Sequence, residues 1–281
     1  ANVGAVARDR GIATEVCFLG ADTARGLAQR GVRADLLAGN NVFAHVPDLD
    51  DFTEGLRILL APDGVLTLEF PHLLKLIDEN QFDTIYHEHF SYFSLFTAAK
   101  VLAAHGLRVF DVDELPTHGG SLRVYACHGS ACSSRMTPRP EALIARERAA
   151  GLTELTTFAR FDEQVRATKR ALLRFLIDAR EQGKRVAGYG APAKGNTLLN
   201  YCGVRTDFLD YVVDRSPHKQ GLLLPGTRIP VHAPAKIMET HPDYVLILPW
   251  NLRDEILQQM HGIRAWGGRF VVPIPRLEVL N

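Results

Sequence analysis

The feature that most constrains this chain is a repeated alternation. Short apolar runs of strand length are each followed by a longer stretch of helical spacing that closes on glycine or proline. Ala34 to Gly39 and Val65 to Phe70 are two such runs. Asp22 to Arg30, followed by Gly31, and Leu49 to Leu60 have helical spacing around them. Asp48, Asp50 and Asp51 open the second helix, where acidic side chains suit the positive end of a helix dipole. Strands separated by a helix pair in parallel through a crossover. The pattern extends back to an expected strand at Thr14 to Leu19 and a helix from Asn2 to Arg10, stopped by Gly11. After a helix from Leu95 to His105, the runs Leu107 to Phe110 and Ser121 to Ala126 have no helix between them. They predict an antiparallel closing pair on an otherwise parallel sheet.

Pro138 and Pro140 mark residues 135–140 as a linker, which sets the expected domains at 1–135 and 136–281. Glu141 to Gly183 predicts a mostly helical stretch. A second alternation follows, with strands at Lys184 to Gly190, Phe208 to Val213, Ile229 to Val231, Val245 to Ile247 and Arg269 to Val272. Helices are expected near Asn196 to Tyr201 and from Asn251 to Gln259. The predicted class is therefore α/β, in two successive sheets.

At 281 residues, with 46% hydrophobic and 23% charged side chains, the chain is long enough for two ordinary domains with substantial cores. Lys plus Arg and Asp plus Glu are 32 each, which argues against a general nucleic-acid binder. Cys17, Cys127, Cys132 and Cys202 form no CxxC pair and read as reduced thiols of a cytoplasmic protein with no metal site. No apolar run approaches the ~20 residues that span a bilayer, so no membrane partner is expected.

Five stretches carry candidate chemistry. Gly39-Asn40-Asn41 and His45 follow a strand, at the edge where open α/β sheets bind ligands; turn formation and helix entry explain them equally well. Tyr86-x-Glu88-His89 is stronger. A carboxylate beside an imidazole stabilises the imidazolium formed on proton uptake, and a phenol can donate to a developing enolate oxygen. A helix start with surface histidines is the bland alternative. His118-Gly119-Gly120-Ser121 permits close backbone approach to a ligand, or makes a plain hairpin loop. Gly188-Tyr189-Gly190-Ala191-Pro192-Ala193-Lys194-Gly195-Asn196 runs from strand to helix. It suits a phosphate at a helix N-terminus, with Lys194 as point charge. It is not a Walker loop, and Ala193 stands where a dinucleotide loop has its third glycine. Asp214, Arg215 and His218 follow the next strand, where an acid often holds a ribose and bases meet phosphates; a solvated turn would look the same.

In this order the motifs resemble the S-adenosylmethionine-dependent C-methyltransferases of nucleotide-linked deoxysugars, the TDP-4-keto-sugar C-3 methyltransferase type. They are Asn41-x3-His45-Val46-Pro47-Asp48, Glu69-Phe70-Pro71-His72, Phe82 to Ser94, His118 to Arg123, and Gly188 to Asn196. The resemblance implies an incomplete class I methyltransferase sheet, Rossmann-like, followed by a second Rossmann-like domain that binds the sugar nucleotide. It implies His89 as the base, with Tyr86, Glu88 and His45 as companions, and Gly39, Asn40 and Asn41 toward the methyl donor. The sugar nucleotide would meet His118, Gly119, Ser121, Tyr189, Lys194, Asn196, Arg215 and His218. A TDP-linked sugar is then the small-molecule partner, taken by a monomer. The family's cysteine-rich zinc domain and the glycine-rich loop of its first methyltransferase strand are missing from this sequence. The chain is thus expected to be a piece of a longer protein, with zinc only in the missing part, and to bind S-adenosylmethionine weakly by itself. Two other readings stand beside this one: a non-catalytic sugar-nucleotide-binding module, and an NAD(P)-dependent sugar-nucleotide oxidoreductase built on the second glycine turn.

Overall fold

The computed structural model of the protein describes residues 2–281, the side chain of Asn2 excepted. The path opens with α1 (Asn2–Asp9), α2 (Ala21–Gln29), β1 (Ala34–Asn40), a 3-10 turn at Phe43–His45, α3 (Leu49–Leu59) and β2 (Leu60–Pro71). Then come α4 (Leu73–Asp78), a 3-10 turn at Phe82–Thr84, α5 (Leu95–Ala104), β3 (Leu107–Leu115), β4 (Ser121–His128), α6 (Arg139–Ala149) and α7 (Leu155–Glu181). The second alternation is β5 (Val186–Tyr189), α8 (Ala193–Cys202), β6 (Val212–Val213), β7 (Val231–His232), α9 (Ala235–Thr240), β8 (Tyr244–Ile247), α10 (Arg253–Gln259), β9 (Arg269–Val272) and β10 (Glu278–Leu280).

Contacts divide the chain into two units that exchange short segments. Unit 1 is residues 1–72, 90–115 and 121–149; unit 2 is residues 73–89, 116–120 and 150–281. The division after Ala149 differs from the expected 135/136, and the cause is α6. Its Leu143 joins the buried cluster of the first sheet, whereas Val165, Leu172 and Leu176 of α7 join that of the second. Between the two helices the chain breaks at Gly151, whose φ of +79° suits glycine.

Unit 1 holds a sheet of order β1-β2-β4-β3. β1 lies parallel to β2, with Gly39 opposite Leu68, while β4 runs antiparallel to both β2 and β3, as the closing-pair pattern predicts. Phe43, Phe70 and Phe93 fill its centre, with the Phe43 and Phe93 rings stacked at 4.5 Å. The expected strand at Thr14 to Leu19 is irregular, with Val16 and Phe18 exposed. A strand needs a ladder, and no described strand offers one there.

The cysteine reading needs correction. Cys127 and Cys132 form a disulfide, while Cys17 and Cys202 are free. The turn closing β4, where the Ala131 N–H donates to the His128 carbonyl, brings the two Cα atoms to 5.8 Å, inside the disulfide range. No helix among the described residues is long and apolar enough to cross a membrane.

Unit 2 holds a sheet of order β10-β9-β8-β5-β6-β7, parallel throughout except for β10. The chain leaves β5 outward through β6 and β7, then returns to the other side of β5 with β8 and β9. That reversal makes a doubly wound, Rossmann-like sheet, with its switch point between the carboxyl ends of β5 and β8. Gly188 lets neighbouring strands close up, since a Cβ there would sit 2.6 Å from Val212 Cγ1.

Candidate functional site

In unit 1 the predicted residues gather at the carboxyl end of β1. Asn40 and Asn41 are exposed, and Asn41 adopts φ +52° with its N–H donating to the Glu69 carbonyl. His45 ends the 3-10 turn and is half-buried. Beside them Glu69 is buried and accepts from Arg123 Nη2 at 2.7 Å. Gly39 is buried, and a Cβ on it would lie 3.0 Å from Leu68 Cδ2 and 3.1 Å from Val42 Cγ1, so packing alone accounts for a glycine there. Ser121 is buried at the start of β4, as its strand assignment predicts, its backbone in register with Pro71 and Leu115.

The Tyr86-Glu88-His89 segment belongs to unit 2. It leaves the 3-10 turn at Phe82–Thr84, where the Ile85 N–H donates to the Phe82 carbonyl. The next turn closes when the His89 N–H donates to the Tyr86 carbonyl, at 3.1 Å. This brings the Tyr86 and His89 rings to a centroid distance of 4.6 Å, while Glu88, between them in sequence, is exposed. Burial raises the Tyr86 phenol above its ordinary value, and the Glu88 and Asp83 carboxylates push the same way. Tyr86 is therefore a proton donor at neutral pH, as stabilising an oxyanion requires.

The second cluster sits at the switch point of unit 2. Lys194, in the first turn of α8, donates to Asn251 Oδ1 at 2.9 Å, and its ammonium lies 4.3 Å from the centre of the Trp250 ring. Burial pulls Lys194 below its ordinary pKa, with Asp83 opposing. Residues 250–255 line a cavity of about 280 Å³. Tyr189, at the end of β5, donates to Gln259 Oε1, and Arg215 pairs with Glu255 at 3.4 Å. Asn196 keeps its Oδ1 buried with no protein donor. His118 is exposed at φ +56° and His218 is exposed on the loop after β6. At Gly119 a Cβ would lie 2.6 Å from Trp250 Cη2, so the glycine lets the backbone approach the indole closely.

Two groups were missed by sequence reasoning. Asp83 is fully buried, and its Oδ2 accepts from Trp250 Nε1 at 2.8 Å. Trp250 is the wall against which Lys194 rests. A fully buried acid three residues before a candidate acid–base cluster has no sequence signature of its own, because its burial comes from a residue 167 positions away. Asp214, the acid that would hold a ribose, is already engaged. It accepts from the Ala191 and Ser216 N–H groups at 2.8 Å and pairs with Lys219 at 3.3 Å. Burial would raise its carboxyl, but those donors hold it below the usual range. The loop that would cradle a dinucleotide thus donates Ala191 N–H to the chain's own acid, and the residues do not fit the nicotinamide reading.

Residues 116–275 match the family model of the C-methyltransferase C-terminal domain, and the chain belongs to that family. C-methyltransferase NovU of Streptomyces niveus is 41% identical over 283 residues, an alignment covering 100% of this chain and 66% of that protein. The chain thus spans slightly less than two thirds of that relative's length. Among solved structures, a SAM-dependent methyltransferase from Anabaena variabilis overlaps 39% of this chain and 55% of its own, at 15% identity and a TM-score of 0.30. One described as "Conversion of a Disulfide Bond into a Thioacetal Group during Echinomycin Biosynthesis" overlaps 53% and 66%, at 16% identity and a TM-score of 0.32. The fold assignment rests on strand order, not on these partial overlaps.

Proposed function

We propose that this chain is the greater part of an S-adenosylmethionine-dependent C-methyltransferase acting beside the ketone of a TDP-linked 4-keto-deoxysugar. The observation that carries the reading is the Tyr86–His89 pair, an imidazole 4.6 Å from a phenol whose pKa is raised, in a chain of the C-methyltransferase family. A ketone acidifies its α carbon, so one base and one oxyanion donor suffice to make a carbanion equivalent. His89 takes the α proton, breaking the C–H bond and leaving its electron pair in the enolate. Glu88, adjacent in sequence, stabilises the imidazolium, and Tyr86 donates to the enolate oxygen. His45, at the carboxyl end of β1 in unit 1, is a second candidate base. Lys194, with the N-terminus of α8, takes the diphosphate, while Arg215 and His218 supply further positive charge. Asn196 and Tyr189 complete the sugar-nucleotide side.

Asn40 and Asn41, exposed at the carboxyl end of β1, fit the polar part of S-adenosylmethionine, with Gly39 directly before them. That cosubstrate, when bound, supplies an electrophilic methyl group. The test is solvent deuterium exchange at the sugar's α carbon, followed by NMR in the full-length protein without methyl donor. Exchange is expected in the wild type and absent in His89→Asn. Wild-type exchange in that variant moves the base elsewhere, with His45 the first candidate. Tight nucleotide-sugar binding with neither exchange nor methyl transfer would favour the binding-module reading.

A further inference from the structure

The functional reading gives tasks to Tyr86, Glu88, His89 and Lys194 but none to the acid buried among them. Asp83 is fully buried; its Oδ2 accepts from Trp250 Nε1 at 2.8 Å, and its Oδ1 has no hydrogen-bond partner. A tryptophan that only needed an acceptor could be served by a backbone carbonyl at far lower desolvation cost. A side-chain acceptor placed there, unlike a carbonyl, ties the indole to the turn that carries it.

On one side Asp83 lies within the 3-10 turn Phe82–Thr84, closed by Thr84 Oγ1 donating to the Gln81 carbonyl and the Ile85 N–H donating to the Phe82 carbonyl. The chain then runs directly into Tyr86 and His89. On the other side Trp250 is boxed in. Gly119 leaves no room for a Cβ against the indole, Gln81 Nε2 donates to the Gly119 carbonyl at 2.6 Å, and the Lys194 ammonium lies over the ring. Asn251, the next residue, holds Lys194 Nζ at 2.9 Å. One buried hydrogen bond therefore joins the turn that launches the acid–base segment to the strand end that seats the cation.

We propose that Asp83 is a positioning residue: its hydrogen bond to Trp250 couples the diphosphate-binding loop at Lys194 to the Tyr86–His89 pair, so that substrate anchoring and proton abstraction share one buried link. This rests on the functional reading above and adds the device that ties its two halves together. Asp83 acts wholly through its neighbours, being fully enclosed by protein.

The experiment uses the full-length protein with Asp83→Ala, Asp83→Asn and Trp250→Phe. Thymidine diphosphate is titrated calorimetrically, and α-hydrogen exchange of the TDP-keto-sugar is measured at saturating substrate. Asp83→Ala and Trp250→Phe are each expected to weaken thymidine diphosphate binding and to slow exchange per folded molecule by at least about tenfold. Asp83→Asn keeps an oxygen acceptor for Nε1–H and is expected to return both to within about threefold of wild type. A purely structural role would lower the thermal midpoint and leave exchange per folded molecule at wild-type rate, which overturns the proposal. Trp250→Phe retains an aromatic ring and decides the question should Asp83→Ala not fold: wild-type binding and exchange in it also overturn the proposal. A wild-type protein that neither binds thymidine diphosphate nor exchanges removes the functional reading together with the inference. Loss in the variants against a competent wild type supports both.

Discussion

Replacing Asp83 by Asn should make unit 2 more stable in alkali and leave it almost unchanged in acid. Burial raises the Asp83 carboxyl from 3.8 to about 7, against the opposing effects of the Trp250 hydrogen bond and the Lys194 charge. In the unfolded chain the same group ionises near its ordinary value. Between pH 4 and 7 the folded state therefore holds a proton that the unfolded state has released, and stability falls as pH rises through this window. The gap between 3.8 and about 7 corresponds to about 4 kcal/mol at ~1.4 kcal/mol per pH unit, fully felt above pH 7. Asn carries no charge to desolvate, and its carbonyl can still accept from Trp250. The variant's advantage should thus be near zero at pH 4 and grow to about 2–4 kcal/mol at pH 8, the lower end allowing for relaxation around the ionised acid. The assay is urea unfolding of both proteins from pH 4 to 8, followed by tryptophan fluorescence. The chain's two tryptophans, Trp250 and Trp266, both lie in unit 2, so the signal reports that unit alone. Groups that do not interact with Asp83 cancel in the difference, which leaves Lys194 and Tyr86 as its only electrostatic partners named above. A stability difference that stays constant across the range would refute the assignment of a buried, ionisable Asp83.

Three further outcomes are expected. Lys194→Ala should weaken thymidine diphosphate binding by about tenfold to a hundredfold, the size of a charge-assisted hydrogen bond, with little effect on saturated exchange; an unchanged dissociation constant takes Lys194 out of the phosphate site. Glu147→Gln should destabilise unit 1 by about 2–4 kcal/mol in urea unfolding. Glu147 is buried, accepts from the Leu95 and Phe96 N–H groups at 2.6 and 2.8 Å, and lies 2.8 Å from His72 Nε2, so an amide –NH₂ would meet at least one donor there. Gly119→Ala should cost about 1–3 kcal/mol and alter Trp250 fluorescence, because φ is +94° and the new Cβ would lie 2.6 Å from the indole.

The legible parts of the fold are those set by local pattern. Both alternations of strand and helix, the antiparallel β3–β4 pair and the glycine turn between β5 and α8 follow from apolar runs and their punctuation. What the pattern missed depends on tertiary partners. Thr14 to Leu19 has strand composition but no ladder to join. Pro138 and Pro140 signal a boundary, yet Leu143 and Glu147 bind α6 into the first unit, and only burial reveals that. The transfer of residues 73–89 to unit 2 has no local mark, because the contacts that draw it there, Asn80 to Thr168 and Asp83 to Trp250, span 88 and 167 residues. The candidate site divides the same way. Tyr86, His89 and Lys194 stand out in chemistry dense enough to notice, whereas the room that Gly39 and Gly119 leave for Leu68 and Trp250 is visible only in the fold.

Unit 2 also illustrates why a sheet's order does not fix its ligand. Its strand order and its glycine turn suit a dinucleotide, and Asp214 stands where the ribose acid belongs. Both oxygens of Asp214 are nevertheless committed to the chain itself, and one of its donors is the loop amide that a pyrophosphate would use. What remains at the switch point is a cation held by Trp250 and Asn251, and a single cation suits one anionic group. The Asp83–Trp250 bond then accounts for why the Tyr86–His89 segment belongs to this unit: the same indole that lies under the Lys194 ammonium fixes the turn from which Tyr86 and His89 emerge.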